Sequence, residues 1–272
     1  EYVQARTPNP CIACNRYVKW ESLLERSMML GADYIATGHY ARIEKLENGR
    51  YALRTSKTSA KDQTYALYNL TQEQLSRTLM PVGDYEKDEI REIAKKFNLR
   101  VANKPDSQEI CFVSDNDYAS FVESEIGKKM PEGNFVTADG EILGKHKGIL
   151  HYTIGQRKGL GIALGHPIFV TEIRPETNEV VIGENDDVFG YSLEAYNLNA
   201  MAVEKFYDGM RAVGKIRYSH KGEHCTVKVL GEDRIRIDFD EKVRAITPGQ
   251  AVVLYDESGL VLGGGTIIER CD

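Results

Sequence analysis

Two thiols are presented at Cys-x-x-Cys spacing in Thr7-Pro8-Asn9-Pro10-Cys11-Ile12-Ala13-Cys14-Asn15-Arg16. Such a pair can bind metal, exchange with a disulfide, or act as a nucleophile. A zinc knuckle needs a second pair at similar spacing, and Cys225 and Cys271 do not supply one. A thioredoxin-like redox pair needs a strand in front of it, where this chain has Pro8 and Pro10. A third reading makes one thiol a nucleophile whose partner is remote, at Cys111, behind the polar approach Lys104-Pro105-Asp106-Ser107-Gln108. The plainest reading is two incidental thiols, with Cys111 a small buried hydrophobe.

The elements around the thiols narrow this. The two prolines make a stiff loop. Apolar Tyr17, Val18, Trp20, Leu23 and Leu24 follow at helical spacing, which predicts an amphipathic helix over 19–30 closed by Gly31. The thiols then sit at or near a helix N-terminus, where free amides and the helix dipole favour thiolate. Residues 33–37 predict a short apolar strand ending at Gly38-His39, and a ligand in a parallel α/β sheet approaches at such an end. His39 is either a ligand contact or a strand-end histidine held by a backbone carbonyl. Residues 41–44 and 51–54 predict a hairpin across Asn48-Gly49. The polar loop Thr58–Gln63 leads into helices at 64–69, 72–79 and 86–97. The 104–113 stretch predicts a loop running into a strand that carries Cys111, and Asp115 is expected to cap a helix reaching Ile126.

Beyond Pro131 helical periodicity fades and the segments become short, β-rich and punctuated by glycine. Ile168–Ile173 and Glu179–Ile182 predict a hairpin pair. From Ser192 onward six short strands with turn signals predict a small closed barrel. The expected fold class is thus α/β followed by a small β-rich domain and a β-barrel, with boundaries at 1–130, 131–190 and 191–272.

The 272 residues carry 35 Lys and Arg against 41 Asp and Glu, a net charge of −6. That argues against a dedicated nucleic-acid binder but leaves room for local patches. Gly144–Gly165 carries Lys145, Lys147, Arg157 and Lys158 with no acid. Its Gly155-Gln156-Arg157-Lys158-Gly159-Leu160-Gly161 lacks the Gly-Lys-Ser/Thr ending of a phosphate loop, and contact with an RNA backbone fits better. Lys215, Arg217, Tyr218, His220 and Lys221 form a second basic cluster, either a solvated strand end or an RNA contact in which Arg217 and Tyr218 stack on an unpaired base. Five scattered cysteines and no membrane-length apolar run point to a reducing, cytoplasmic setting without a membrane partner.

The words Thr-Pro-Asn-Pro-Cys-x-x-Cys-Asn, Gly-Ala-Asp-Tyr-Ile-Ala-Thr-Gly-His-Tyr, Lys-Asp-Gln, Ile-Cys-Phe, His-Tyr-Thr-Ile-Gly-Gln-Arg-Lys-Gly-Leu-Gly and Thr-Pro-Gly-Gln-Ala occur in order along the chain. Together they resemble the tRNA-specific 2-thiouridylase family, which makes 2-thiouridine at the wobble position. The resemblance implies an adenine-nucleotide-hydrolase-like α/β domain, a small central domain and a β-barrel. It implies that ATP, with Mg2+, adenylates C2 of the uridine, and that persulfide sulfur then replaces the oxygen. By match, Cys14 is the nucleophile and Cys111 the persulfide carrier. Asn9, Pro10 and Cys11 would meet the target base, and Gly38 the nucleotide. His39, Lys61, Asp62, Gln63, Arg217, Tyr218 and Gln250 would contact tRNA. The implied partners are the lysine, glutamate and glutamine tRNAs and a sulfur donor such as a cysteine desulfurase or sulfur relay protein.

Two departures carry expectations. The family's Ser-Gly-Gly-x-Asp-Ser pyrophosphate loop is absent, so the chain is expected to be N-terminally truncated and inactive by itself. Position 11 is Cys where many relatives carry Asp, so Cys11, Cys14 and Cys111 form an alternative iron–sulfur ligand set for a cluster-dependent thiolase. A non-catalytic tRNA-binding fragment is the alternative of a different class.

Overall fold

The computed structural model describes residues 1–100, 102, 111, 113 and 117–272. After a 3-10 turn at Tyr2–Gln4 comes one continuous helical rod built of Pro10–Ala13, a π-helical stretch Cys14–Leu23, and Leu24–Met29. It starts earlier than the prolines suggest. Asn9 is the N-cap, its Oδ1 accepting from the Cys11 amide at 3.0 Å, and Pro10 stands where its missing N–H is no loss. Cys11 and Cys14 therefore lie inside the first turns of the helix and not on a loop before it. The rod buries Trp20 and Leu24, with Ile12 and Met28 packed beside them. Tyr17, Val18 and Leu23, expected on the same apolar face, are instead exposed.

Strand β1 (Ile35–Ala36) follows, then the hairpin β2 (Ala41–Lys45) and β3 (Tyr51–Thr55), whose register closes on the three residues Glu47-Asn48-Gly49 with Gly49 at φ +83°. Helix 64–69 is realised as a 3-10 turn, Thr64–Leu67, and helix 72–79 stops at Ser76. The chain then turns into β4 (Thr78–Leu79), which pairs parallel with β1. Lys87–Lys96 is helical as expected. The helix Tyr118–Ile126 is capped by Asp117, whose carboxylate accepts from the Ser120 amide. The expected cap, Asp115, lies outside the described residues, as does most of the approach to Cys111. Cys111 itself is exposed in a turn and not paired in a strand.

The central unit is a four-stranded sheet in the order β6-β5-β8-β7. Its strands are β5 (Gly133–Val136), β6 (Ile142–His146), β7 (Phe169–Arg174) and β8 (Glu179–Gly183). The predicted hairpin pair is the antiparallel β7–β8. The last six strands are β9 (Phe189–Ala200), β10 (Met210–Lys215), β11 (Glu223–Gly231), β12 (Arg234–Arg244), β13 (Ala251–Tyr255) and β14 (Val261–Arg270). They close into the predicted barrel, β10-β11-β12-β9-β14-β13, around Leu193, Ile216, Val227, Ile235, Ile237 and Ile267.

The α/β unit is joined to this barrel by burial and by hydrogen bonds. Trp20, Leu53, Tyr65 and Leu67 share one core with Met201, Val253, Tyr255 and Val261. Arg50 donates to the carbonyls of Ala200 and Met201 at 2.8 Å each. Asn199 donates to those of Tyr68 and Leu70 at 2.7 and 3.1 Å. These part-buried bonds, charge-assisted at Arg50, tie the α/β unit on which the thiol-bearing helix packs to the barrel.

Candidate active site and the hollow beside it

The helix bearing the thiols is anchored just behind them. Buried Asn15 donates from Nδ2 to the Ala66 carbonyl at 2.8 Å, and the Trp20 indole donates to Thr78 Oγ1 at 2.8 Å. The π-helical stretch begins at Cys14, and such widened turns recur at functional sites. Cys11, Cys14 and Cys111 all carry free thiols. The Cys11 thiol is pushed up by desolvation of its sulfur, then by the neighbouring thiols of Cys111 and Cys14, while Lys19 pulls the other way. The helix start thus does not yield the expected thiolate at Cys11, because burial and like charges outweigh one lysine. The same interaction shows that Cys111, a hundred residues downstream, reaches the neighbourhood of the Cys-x-x-Cys turn.

The three thiols do not make a metal site. Among the described residues, which include all three, no group of three or more His, Cys, Asp or Glu could hold a metal ion. The iron–sulfur ligand set is therefore not formed.

Gly38 follows β1 with open space where a side chain would stand, so a ligand can approach its backbone closely. His39 is held by side chains and not by a carbonyl. Its Nε2 lies 3.3 Å from Lys19 Nζ and its Nδ1 2.9 Å from Thr37 Oγ1. Lysine can only donate, so Nε2 accepts and Nδ1–H donates to the threonine hydroxyl. Burial against the Trp20 ring and then the Lys19 charge lower the His39 pKa to about 4, which keeps the imidazole neutral.

Because the folded value lies below the ordinary 6.5, protons bind the unfolded chain first. The stability His39 contributes is complete above about pH 6.5 and is lost as pH falls to about 4, at most about 3 kcal/mol. His39→Gln is expected to flatten this part of the acid limb in urea midpoints measured between pH 7 and 4. A limb as steep as wild type would contradict the assignment. His220, also lowered to about 4, and His146 and His151, lowered by burial, contribute to the slope that remains.

In the Lys61-Asp62-Gln63 word, two side chains serve the fold. Asp62 accepts from the Ser56 amide and the Thr64 hydroxyl. Burial raises its pKa, against those bonds and the charge of Lys215. Gln63 Oε1 accepts from the Tyr40 amide at 2.9 Å. Lys215 is turned inward over the Tyr255 ring, 5.8 Å away. Of the 145–158 stretch, His146 is buried and bonded to Asn178 O and the Gly148 amide.

Asn9, Arg217, Tyr218 and Gln250, four residues scattered over the sequence, line one hollow of about 350 Å³. Thr153 and Ile154 of the central unit close one side, and Ser219, Ala245 and Thr247 of the barrel the other. The hollow is held together at its thiol end. The Thr7 amide donates to Pro248 O at 2.8 Å, and Gln250 Nε2 donates to Thr7 O at 3.0 Å. Gly249, at φ +88°, leaves room for that backbone contact, since a Cβ there would stand 2.9 Å from the Thr7 nitrogen. Gln250 thus positions the segment leading to Asn9. Pro10 and Cys11 follow immediately, in the first helical turn. Thr153, Ile154 and Thr247 stand in two of the quoted sequence words but were not singled out there. Lys19 and Ala245 left no signal that could have marked them. A second hollow of about 340 Å³ beside Asp88, Arg91, Glu92 and Lys95 is a solvated helix face with i,i+3 ion pairs.

The three units correspond to three family models. Residues 1–115 match a tRNA methyl transferase HUP domain, 119–184 a tRNA methyl transferase PRC-barrel domain, and 192–267 an aminomethyltransferase β-barrel domain. An α/β HUP-type domain followed by two β domains, two of the three matched by models named for tRNA methyl transferases, defines a tRNA-modifying class. Curated relatives sharpen this. The chain is 67% identical over 269 residues to the tRNA-specific 2-thiouridylase MnmA of Lachnoclostridium phytofermentans, covering 99% of this chain and 75% of that one. It is 56% identical over 271 residues to that of Clostridioides difficile, covering 99% and 74%, and 54% identical over 268 residues to that of Acetivibrio thermocellus, covering 98% and 74%. The chain belongs to the tRNA-specific 2-thiouridylase family. The expected inactivity of the chain by itself gains no support from these matches. Among the described residues no helix is long and apolar enough to cross a membrane.

Proposed function

We propose that the protein is an ATP-dependent sulfurtransferase converting the wobble uridine of tRNA to 2-thiouridine, with the lysine, glutamate and glutamine tRNAs as acceptors. The observation that supports this most is the convergence of Asn9, Arg217, Tyr218 and Gln250 on one hollow beside the thiol-bearing helix. That hollow suits a nucleotide drawn out of its stack, with a guanidinium and a phenol at its wall.

ATP transfers adenylate to the C2 oxygen and releases pyrophosphate, which makes that oxygen a leaving group. Gly38, at the open end of β1, is the residue offered to the nucleotide. Asn9, Pro10 and Cys11 meet the base, and His39, Lys61, Asp62 and Gln63 stand on the RNA side with Arg217, Tyr218 and Gln250. Mg2+ accompanies the nucleotide. Cys111, exposed in its turn, receives sulfur as a persulfide from a cysteine desulfurase or relay protein. The terminal persulfide sulfur attacks C2, forming C–S as C–O breaks and AMP leaves. The Cys14 thiolate then attacks Sγ of Cys111. The S–S bond to the transferred sulfur breaks, a Cys14–Cys111 disulfide forms, and C2 keeps the sulfur. An external dithiol reduces that disulfide, giving up two electrons and becoming a disulfide itself.

The test uses protein expressed from its complete reading frame, with tRNA, ATP and a persulfide donor in a cytoplasm-like reducing buffer. Retarded migration of tRNA in a mercury-containing gel reads thiolation, and AMP should appear mole for mole. Bound tRNA without ATP-dependent thiolation would overturn the proposal.

A further inference from the structure

Several arginines in this acidic chain sit in ion pairs: Arg54 with Glu44, Arg211 with Asp240, Arg236 with Asp238 and Arg174 with Glu172. Others, such as Arg50, are taken up by backbone carbonyls. Arg217 and Arg244 are served by neither arrangement in full. Among the described residues neither has a carboxylate at ion-pair distance, and the Arg217 Nε is buried without a hydrogen-bond partner. A buried unpaired donor is costly and calls for an explanation, such as a ligand that satisfies it. Arg244 has one weak acceptor, Gly155 O, at 3.4 and 3.5 Å from its two terminal nitrogens. Its guanidinium lies over the Phe169 ring, 5.0 Å from the centroid, which fixes its plane and leaves its edge free for further donation.

The local fold is shaped to hold this arrangement. Gly155 adopts φ +84°, and a Cβ there would stand 2.7 Å from Ala245 Cβ and 3.2 Å from Arg244 Nη1. The turn after Thr153 can therefore sit against Arg244 only as glycine. Arg217 lines the hollow together with Thr153, Ile154 and Ala245, and Arg244, next to Ala245 in the chain and bonded to Gly155 O just after Ile154, stands at the same wall. Burial first, and then the Arg244 charge, lower the Arg217 pKa. His220 beside them stays neutral, held to about 4 by burial, Arg217 and Lys215.

We infer that Arg217 and Arg244 together clamp one backbone phosphodiester of the substrate RNA, in the hollow where the barrel meets the Thr153–Gly155 turn. One phosphate offers acceptors enough for two guanidinium forks, relieves their mutual repulsion and satisfies the orphaned Nε. The clamp fixes the strand beside the base that Tyr218 and Asn9 meet, so it sets register and carries no sequence information. The inference rests on the RNA-modifying reading above.

The experiment titrates a fluorescent wobble-uridine tRNA against wild type, Arg244→Gln, Arg217→Gln and the double variant at several salt concentrations. Each single variant is expected to bind about tenfold more weakly, with a salt slope smaller by about 0.7–1. The double variant should lose less than the product of the singles, because both residues serve one phosphate. An Arg244→Gln variant with wild-type affinity and slope would overturn the clamp. Weaker binding with an unchanged slope would assign base stacking instead and overturn it as well. Should Arg244→Gln melt early, RNAs with single methylphosphonate linkages around the wobble position decide. One linkage must cost wild type about tenfold and Arg217→Gln little, and a uniform cost at every linkage would refute the clamp. Failure of wild type to bind tRNA at all is a different result and overturns the proposed function itself.

Discussion

Replacing Cys14 or Cys111 by serine is expected to abolish thiolation, by about 10³-fold or more in a single turnover without added thiol. Replacing both should do no further harm, because the two act in one sequence of bond exchanges. The variants should nonetheless fail at different points. With Cys111→Ser there is no carrier for the persulfide, so labelled sulfur neither stays on the protein nor reaches RNA. With Cys14→Ser the persulfide can still attack C2, but nothing resolves the linkage. A Cys111–S–S–tRNA conjugate should then accumulate, visible as a shifted band that dithiothreitol collapses. Cys11→Ala should cost less than tenfold, since the raised Cys11 thiol is poorly suited to either task at neutral pH. Full single-turnover activity of Cys14→Ser, or a conjugate in Cys111→Ser, would sink the assigned roles.

That assignment shows what could and could not be read from residue order. The Asn-Gly hairpin, the parallel β1, the central hairpin and the closed barrel were legible because each rests on local rules of turn chemistry and alternation. The start of the first helix was misjudged because two prolines dominate the stretch. Asn9 capping and Pro10 at the first helical position turn a helix breaker into a helix starter. Which face that helix buries was also misjudged. Period alone selects Tyr17, Val18 and Leu23 along with Trp20 and Leu24, and only the packing shows that of these five Trp20 and Leu24 are enclosed. At the site, the motif words identified Asn9, Arg217, Tyr218 and Gln250 singly. Their meeting in one hollow depends on Gln250 reaching back to Thr7 across the chain, a contact that no spacing encodes. Asp62 and Gln63 illustrate the converse, since a quoted word can owe its residues to the fold: both spend their polar atoms on neighbouring backbone and side chains.

Loosening the thiol helix from its anchor is expected to cost both stability and activity. Trp20 is 1% exposed, packs against Tyr65, Leu75 and Met80 in one core, and donates its indole N–H to Thr78 Oγ1, which itself donates to Gln74 O at 2.6 Å. It is the single tryptophan of the chain, so its emission reports directly on this contact. Thr78→Val keeps the shape but removes the acceptor, leaving a buried N–H unpaired, and should destabilise by about 1–3 kcal/mol. Trp20→Ala removes the ring and leaves a cavity beneath Cys14, with an expected loss of about 3–5 kcal/mol. Trp20→Phe should fall between the two, because most of the packing survives. Urea titrations followed by circular dichroism provide the energies. The tryptophan emission of Thr78→Val should also shift to the red before the global transition, as the helix opens ahead of the barrel. The same variant should lower the thiolation rate with little change in tRNA affinity, since Arg217, Tyr218 and Gln250 belong to the barrel unit while Cys14 rides on the helix. A Thr78→Val protein with a wild-type urea midpoint and unshifted emission would show that the indole bond does not hold the helix. The fixed height of Cys14 would then rest on Asn15 and its 2.8 Å bond to Ala66 O.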